Sequence, residues 1–344
     1  MDDAWLPPVA LRDAVQHQRH VAQAEAALFG GTPEPVVIGG YEVGDRLGAG
    51  SFGVVYAAYD PSLQRTVALK LLRKSGPDDA SVAAAARWVA EARAMARLRD
   101  PNVAHVYEVG VDGDYVFIAM EHIVGTTLGA WTRATSRPWT EVLAAYEAAG
   151  RGLAAAHAAS LVHRDFKPAN VLVEGDQASR VVVTDFGLAT MRGDDDPPPA
   201  VGTVEGTPAY MAPEQRRGEP ATAAADQFAF CVALYEALYG QRPFVDDVPG
   251  PKPRTPGAAV EVPTLVWSIL ARGVALDPER RYPSMNALLA ALRPEPSVRY
   301  RRMVLAGLML LLAVVLTAAA VQLSMFWDYY QGAADVVGRP PPGQ

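Results

Sequence analysis

Between Tyr41 and Glu121 the apolar positions come in short β-branched or aromatic runs broken by glycine or by a Pro-Ser turn. Tyr41 to Leu47, Val54 to Tyr59 and Thr66 to Leu72 predict three strands of an antiparallel meander, and Val103 to Val109 and Tyr115 to Glu121 predict two more across an Asp112-Gly113 turn. Among them lies one Ala-rich stretch, Asp78 to Leu98, that reads as a helix capped by Asp79 or Ser81. Trp88, Glu91, Met95 and Leu98 recur at helical spacing and share its inward face. From about Gly125 onward helical patterning dominates, interrupted by short strands around Val171 and Val181. A small β-rich lobe followed by a larger helical one is an α+β, bilobal reading. Ahead of it, residues 1–40 form a leader, with a helix near Val9 to Phe29 that stops at Gly30-Gly31 before the breaker-rich Thr32-Pro33-Glu34-Pro35.

An uncharged apolar run, Met303 to Val321, lies at the other end. At ~1.5 Å per residue it spans about 30 Å of hydrocarbon, which predicts a transmembrane helix over 303–324. A buried core helix would keep one polar face, and this stretch has none. Arg293, Arg299, Arg301 and Arg302 precede it, whereas Asp328, Asp335 and a single Arg339 follow, so the positive-inside rule puts the N-terminal side in the cytoplasm. Tyr300 on one side and Trp327, Tyr329 and Tyr330 on the other suit the headgroup regions. Met1-Asp2-Asp3 begins no basic-then-apolar segment, so no secretory signal is expected, and the tail 325–344 is too short for a folded sensor domain. The expectation is a single-pass protein of the cytoplasmic membrane, with its body at 41–293 in the cytoplasm and a basic linker at 294–302.

Composition narrows the functional classes. The chain has 344 residues and is 50% hydrophobic, enough for a sizeable core and for about two units by length. A net charge of -7 offers no general basic field, so nucleic acid is not an expected partner. Cys231 is the only cysteine; it excludes an intramolecular disulfide, and inside the apolar run Phe228 to Leu234 it reads as a buried thiol rather than a nucleophile. His17 and His20 could share a helical face, but two histidines without a third ligand read as solvated surface.

The chemistry concentrates in four segments. Gly48-Ala49-Gly50-Ser51-Phe52-Gly53-Val54-Val55 is a glycine loop whose bare amides can approach phosphate oxygens; it lies between two strands, whereas a dinucleotide-binding loop would open a helix. In the next strand Val67-Ala68-Leu69-Lys70 embeds a cation in an apolar run, where it needs an anionic partner, and Glu91 on the inward helix face is the expected one. Such a pair would hold the ammonium against the α- and β-phosphates of a nucleotide. His163-Arg164-Asp165-Phe166-Lys167-Pro168-Ala169-Asn170 supplies Asp165 to accept a proton, Lys167 to offset charge on a transferring phosphoryl group, and Asn170 to bind a divalent ion through its amide oxygen. Asp185 of Asp185-Phe186-Gly187 adds a carboxylate for Mg²⁺.

These motifs, in this order, resemble those of the eukaryotic-type protein kinase family over about Tyr41 to Leu292. The resemblance implies a lobe boundary near residue 124, ATP with Mg²⁺ (or Mn²⁺) in the cleft, and adenine contacts from Leu47, Val55, Ala68 and Leu172. It further implies backbone hydrogen bonds at Glu121 and Ile123, with Met120 as gatekeeper. Lys167, two residues after Asp165, resembles the serine/threonine branch, and Gly206 to Gln215 with its Ala212-Pro213-Glu214 element resembles the substrate-binding end of an activation segment in bacterial members. In the family the glutamate, here Glu214, pairs with an arginine matching Arg281, and Asp226 matches the aspartate that steadies the catalytic loop. Arg164 suggests regulation by a phosphate on the activation segment, with Thr203 the preferred acceptor, Thr190 a second, and Thr207 touching Asp165 and Lys167.

Departures from the family pattern are small: Asp100-Pro101-Asn102 replaces the usual His-Pro-Asn, Cys231 stands where many members carry Gly, and the Pro- and Gly-rich stretch Asp246 to Pro263 is shorter than expected for substrate docking. Two other readings stay open, a catalytically dead scaffold and a homodimer held by the membrane helix for trans-phosphorylation, although Gly307 alone gives no GxxxG pattern.

Overall fold

In the computed structural model, which describes residues 11–50, 53–73, 86, 89–90, 92–186, 208–257, 262–293 and 298–337, the β-branched runs of the first lobe form one six-stranded antiparallel sheet. Its strands are β1 (Val37–Ile38), β2 (Tyr41–Gly50), β3 (Gly53–Asp60), β4 (Arg65–Arg73), β5 (Val106–Asp112) and β6 (Tyr115–Glu121), in the order β1-β2-β3-β4-β6-β5. Alternation along β3 sends Val54, Tyr56 and Ala58 to one face, where they meet Ile38, Tyr41 and Val43. The opposite face, with Ala68, Leu72, Ile118 and Met120, joins the main core. The leader helix α1 (Leu11–Phe29) contributes Val15, 3% exposed, to the first of these faces.

The strand expected from Val103 begins only at Val106. Residues 102–104 are taken by a different partner: Ala104 N–H donates to Val183 C=O at 3.0 Å and Val183 N–H to Asn102 C=O at 2.9 Å, a parallel bridge that stitches the first lobe to the second. Of the expected inward helix face, Met95 is buried and Leu98 half-buried against the core; Trp88 and Glu91 lie outside the described residues.

The second lobe contains α2 (Leu128–Ala134), α3 (Trp139–Ala158), a small sheet of β7 (Thr126–Thr127), β8 (Val171–Glu174) and β9 (Arg180–Val183), then α4 (Pro213–Arg216), α5 (Ala223–Tyr239), α6 (Thr264–Gly273) and α7 (Met285–Leu292). Helix α5 is apolar nearly all round and is accordingly central, with Ala225 through Tyr235 buried. Thr222 caps its start by accepting Ala224 N–H, and Gly240 ends it in the left-handed region at φ 68°. A β-carbon on Gly273 of α6 would fall 2.2 Å from Cys231 Sγ, so the two helices meet where only glycine fits. Burial pushes the Cys231 thiol far above its ordinary range, consistent with the structural reading of that residue.

Contacts divide the chain into two units, Met1–Leu292 and Arg293–Gln344. The second contains α8 (Val298–Val337), in which Val304–Trp327 has a mean hydropathy of 2.7 and exposed side chains. It is the one helix among the described residues long and apolar enough to cross a membrane.

Candidate active site

The loop between α3 and β8 is organised from beneath by Asp226, in the first turn of α5 and 1% exposed. Its two carboxylate oxygens accept the backbone N–H groups of His163 and Arg164, each at 2.7 Å. Arg164 takes the left-handed conformation at φ 68°. For a non-glycine residue that costs about 1–3 kcal/mol and persists only where its surroundings enforce it, which the charge-assisted bond to Asp226 helps to do. His157 of α3 adds a third contact, Nε2 at 2.8 Å from Asp226 Oδ2. The His163 ring bonds through Nε2 to Thr184 C=O at 2.9 Å and packs on Phe186 with centroids 4.7 Å apart, tying this loop to the Asp185-Phe186 segment.

On the open side of the loop Asp165, Lys167 and Asn170 form one cluster. Lys167 Nζ donates to Asp165 Oδ2 at 2.7 Å, and Asn170 Nδ2 donates to the Asp165 carbonyl at 2.8 Å and to Oδ2 at 3.3 Å. Facing them is Asp185, at φ 61° another strained non-glycine residue. Glu91, the expected partner of Lys70, lies outside the described residues; among them Lys70 Nζ donates to Asp185 Oδ1 at 2.8 Å. Lys70 is 4% exposed in β4, so a carboxylate at contact distance is what makes its charge tolerable there. Burial pushes the Asp185 carboxyl upward, but the charge and hydrogen bond of Lys70, with His163 and Lys167 adding, outweigh it and hold it below the ordinary carboxylate range.

Gly48, Gly50 and Gly53 sit at the β2–β3 turn, with Gly48 opposite Val55 and Gly50 opposite Gly53. Gly53 has φ 154°, and a β-carbon there would fall 2.2 Å from the Leu71 carbonyl oxygen, so backbone proximity dictates glycine. Below the turn Ala68 pairs in register with Met120, and these two and Ile123 are buried. Val55 and Leu172 are half-buried, Leu172 packing against Ile123, Ala104 and Val182, while Leu47 stands half exposed at the rim. Glu121 donates its N–H to His105 C=O at 2.8 Å, and its carboxylate takes a bidentate hydrogen bond from Arg180 at 2.5 and 3.0 Å that holds its carboxyl below the ordinary range against the opposing effect of burial.

Among the described residues no group of three or more His, Cys, Asp or Glu side chains could cage a metal. The candidate oxygen donors are the ionised Asp185 carboxylate and the Asn170 amide oxygen, whose nitrogen is already committed to Asp165. Two oxygen ligands leaving room for water and phosphate oxygens fit Mg²⁺, which is seldom held by an all-protein cage.

Beyond the activation segment, Arg281, 1% exposed, makes a bidentate pair with Glu214 at 2.6 and 2.8 Å and donates further to the carbonyls of Ala224 and Ala275. Gln215 links this element back to the loop, its Nε2 donating to Arg164 C=O at 2.8 Å while its Oε1 accepts Ala212 N–H at 3.1 Å. Sequence reading missed His157 and Gln215; a lone imidazole in the Ala-rich run Leu153 to Ala159 was the available signal for the first. Thr190, Thr203 and Thr207 lie outside the described residues.

Residues 41–252 match the family described as the protein kinase domain. The serine/threonine-protein kinase PknE of Mycobacterium tuberculosis is 34% identical over 272 residues, 75% of this chain and 46% of that protein. PknA of the same organism is 37% identical over 215 residues, 61% of this chain and 49% of its own length. The chain thus spans about half the length of these curated relatives. Among solved structures, the PknI kinase domain of Mycobacterium tuberculosis aligns with a TM-score of 0.60 and 28% identity, covering 76% of this chain and 98% of that one.

Proposed function

Since the chain belongs to the protein kinase family, we propose that it transfers the γ-phosphate of ATP to serine or threonine hydroxyls of proteins, beside a membrane that α8 crosses. The observation that carries this reading is the convergence of Asp165, Lys167 and Asn170 on one side of a cleft with the Lys70–Asp185 pair on the other. A dead scaffold normally loses one of these groups, and here none is missing.

In the proposed reaction Asp165 orients the acceptor hydroxyl and takes its proton as the oxygen attacks the γ-phosphorus. The bond to the β–γ bridging oxygen breaks, and ADP leaves with that electron pair. Lys167 offsets charge on the transferring group, and Lys70 holds the α- and β-phosphates. Mg²⁺, held by Asp185 and Asn170, would neutralise charge between the β- and γ-phosphates. The glycine loop covers the phosphates, and Leu47, Val55, Ala68 and Leu172 sandwich the adenine, which meets the backbone at Glu121 and Ile123 under the Met120 gatekeeper. Glu91 remains the partner we propose for Lys70 in the nucleotide-bound state.

Lys167 favours a serine or threonine acceptor, and the Ala212-Pro213-Glu214 element, braced by Arg281, favours a protein over a small molecule. Autophosphorylation at Thr203 read by Arg164, contact of Thr207 with Asp165 and Lys167, and dimers acting in trans belong to the same proposal. So does the placement of 41–293 in the cytoplasm, with 294–302 as basic linker. Incubating the purified chain with ATP and Mg²⁺ and mapping the products by mass spectrometry tests it: phosphoserine or phosphothreonine, including Thr203, is expected. Phosphate on tyrosine alone, or an unmodified Thr203, would refute the corresponding part.

A further inference from the structure

The leader helix α1 precedes the segment matched to the family, yet it is bonded to the strand that carries the glycine loop. Val15 is buried against the outer face of the sheet, and one turn on Arg19 reaches β2. One guanidinium nitrogen of Arg19 donates to the Gly44 carbonyl, and the other lies 3.1 Å from Asp45 Oδ1. The place of contact is the point where β2 departs from regular pairing. Glu42 and Val43 face Tyr59 and Ala58, the register then shifts before Arg46 faces Tyr56, and it shifts again before Gly48 faces Val55. Gly44 and Asp45 therefore have no partner in the β3 register, and a carbonyl outside the ladder needs another donor. Arg19 supplies it. A β-carbon at Gly44 would come within 2.8 Å of the Ala57 carbonyl oxygen, so this bulge is also held close to β3 and has little room to rearrange by itself.

We propose that Arg19 is a positioning residue for the nucleotide-binding loop: by tying α1 to the bulge at Gly44, it fixes the course of β2 toward Gly48 and so the seat of the loop over the phosphates. The bond to the carbonyl carries the effect. Asp45 is 94% exposed, and an ion pair that open to solvent and salt contributes little. The kinetic consequence rests on the phosphotransferase reading above, whereas the mechanical link between α1 and β2 does not.

The test uses the full chain in detergent as wild type, Arg19→Ala, Arg19→Lys and Asp45→Ala, with two readouts. Amide hydrogen exchange over residues 44–55, measured without nucleotide, should quicken in Arg19→Ala, remain near wild type in Asp45→Ala, and be partly restored in Arg19→Lys, which keeps one donor. KM for Mg-ATP should rise roughly five-fold in Arg19→Ala with kcat changed by less than about two-fold, the signature of altered ground-state nucleotide binding. Exchange over 44–55 at the wild-type rate in Arg19→Ala would overturn the link, as would faster exchange confined to α1 with an unchanged KM. If the wild type transfers no phosphate, the kinase reading falls, and the exchange data still decide whether Arg19 holds the loop.

Discussion

Glu121 and Arg180 meet beside the hinge between the lobes, and their pairing makes a prediction about acid. The carboxyl is held below its ordinary value chiefly by the Arg180 hydrogen bonds, so its ionised form is stabilised by folding. For a depressed carboxyl the contribution is present above the unfolded pKa of about 4.3 and is lost as pH falls through the folded value. Glu121→Gln should therefore destabilise the first unit by about 1 kcal/mol at neutral pH, with the gap from wild type closing below about pH 4. Urea unfolding of the full chain in detergent, followed by tryptophan fluorescence at the two pH values, measures both. At this scale the motif residues were legible because Asp165, Lys167 and Asn170 lie within one short loop, so their clustering follows from chain connectivity. The additional contact of Lys70 with Asp185 was not, because Asp185 lies 115 residues away and only the closed fold brings it to 2.8 Å. His157 was hidden for the same reason: its role depends on Asp226, which belongs to another helix.

Secondary-structure elements were read best where sequence and partner are local. Tyr115 to Glu121 appears as predicted because its hairpin neighbour precedes it across a tight turn. Val103 to Val109 was misplaced at its start because a β-branched run does not say which strand it will pair with, and Val103 bridges to Val183 in the other lobe. The two-residue β1 is too short to leave a pattern, and the docking of α1 rests on a buried Val15 and an Arg19 whose target is a bulge. The β2–β3 turn yields a direct prediction. Gly53→Ala forces a methyl group toward the Leu71 carbonyl and a side chain into a glycine conformation, so β3 must shift away from β4. We expect nucleotide affinity to fall about ten-fold or more, while α5 and the second lobe keep wild-type hydrogen exchange. Titration with a fluorescent ATP analogue measures the first, and an affinity unchanged from wild type would contradict the geometry.

For the whole molecule, two units of opposite character share one chain: a lobed body with its own buried core, and a 40-residue helix whose apolar stretch has exposed side chains. The apolar run was plain in sequence since a stretch of that length without charge has few other uses. The proposed orientation is testable through the single cysteine. Cys231 is fully buried, so it should stay silent toward a membrane-impermeant maleimide, and new cysteines report alone. In intact spheroplasts a cysteine at Ala333 should label, whereas one at Ala27 should label only after lysis. The reverse pattern would invert the topology, and extraction of the chain by salt without detergent would remove the membrane helix from the account.

The central claim is that Asp165 and its neighbours perform phosphoryl transfer, and the rate of γ-phosphate transfer from ATP to a protein acceptor in Asp165→Asn measures it most directly. That substitution keeps the shape of the side chain and removes its basicity, so folding and nucleotide binding should persist. The account predicts that turnover falls by about 10²–10⁴-fold, the usual worth of a positioned general base. Transfer at the wild-type rate by Asp165→Asn, or no transfer by the wild type in the presence of Mg²⁺ and ATP, would contradict it.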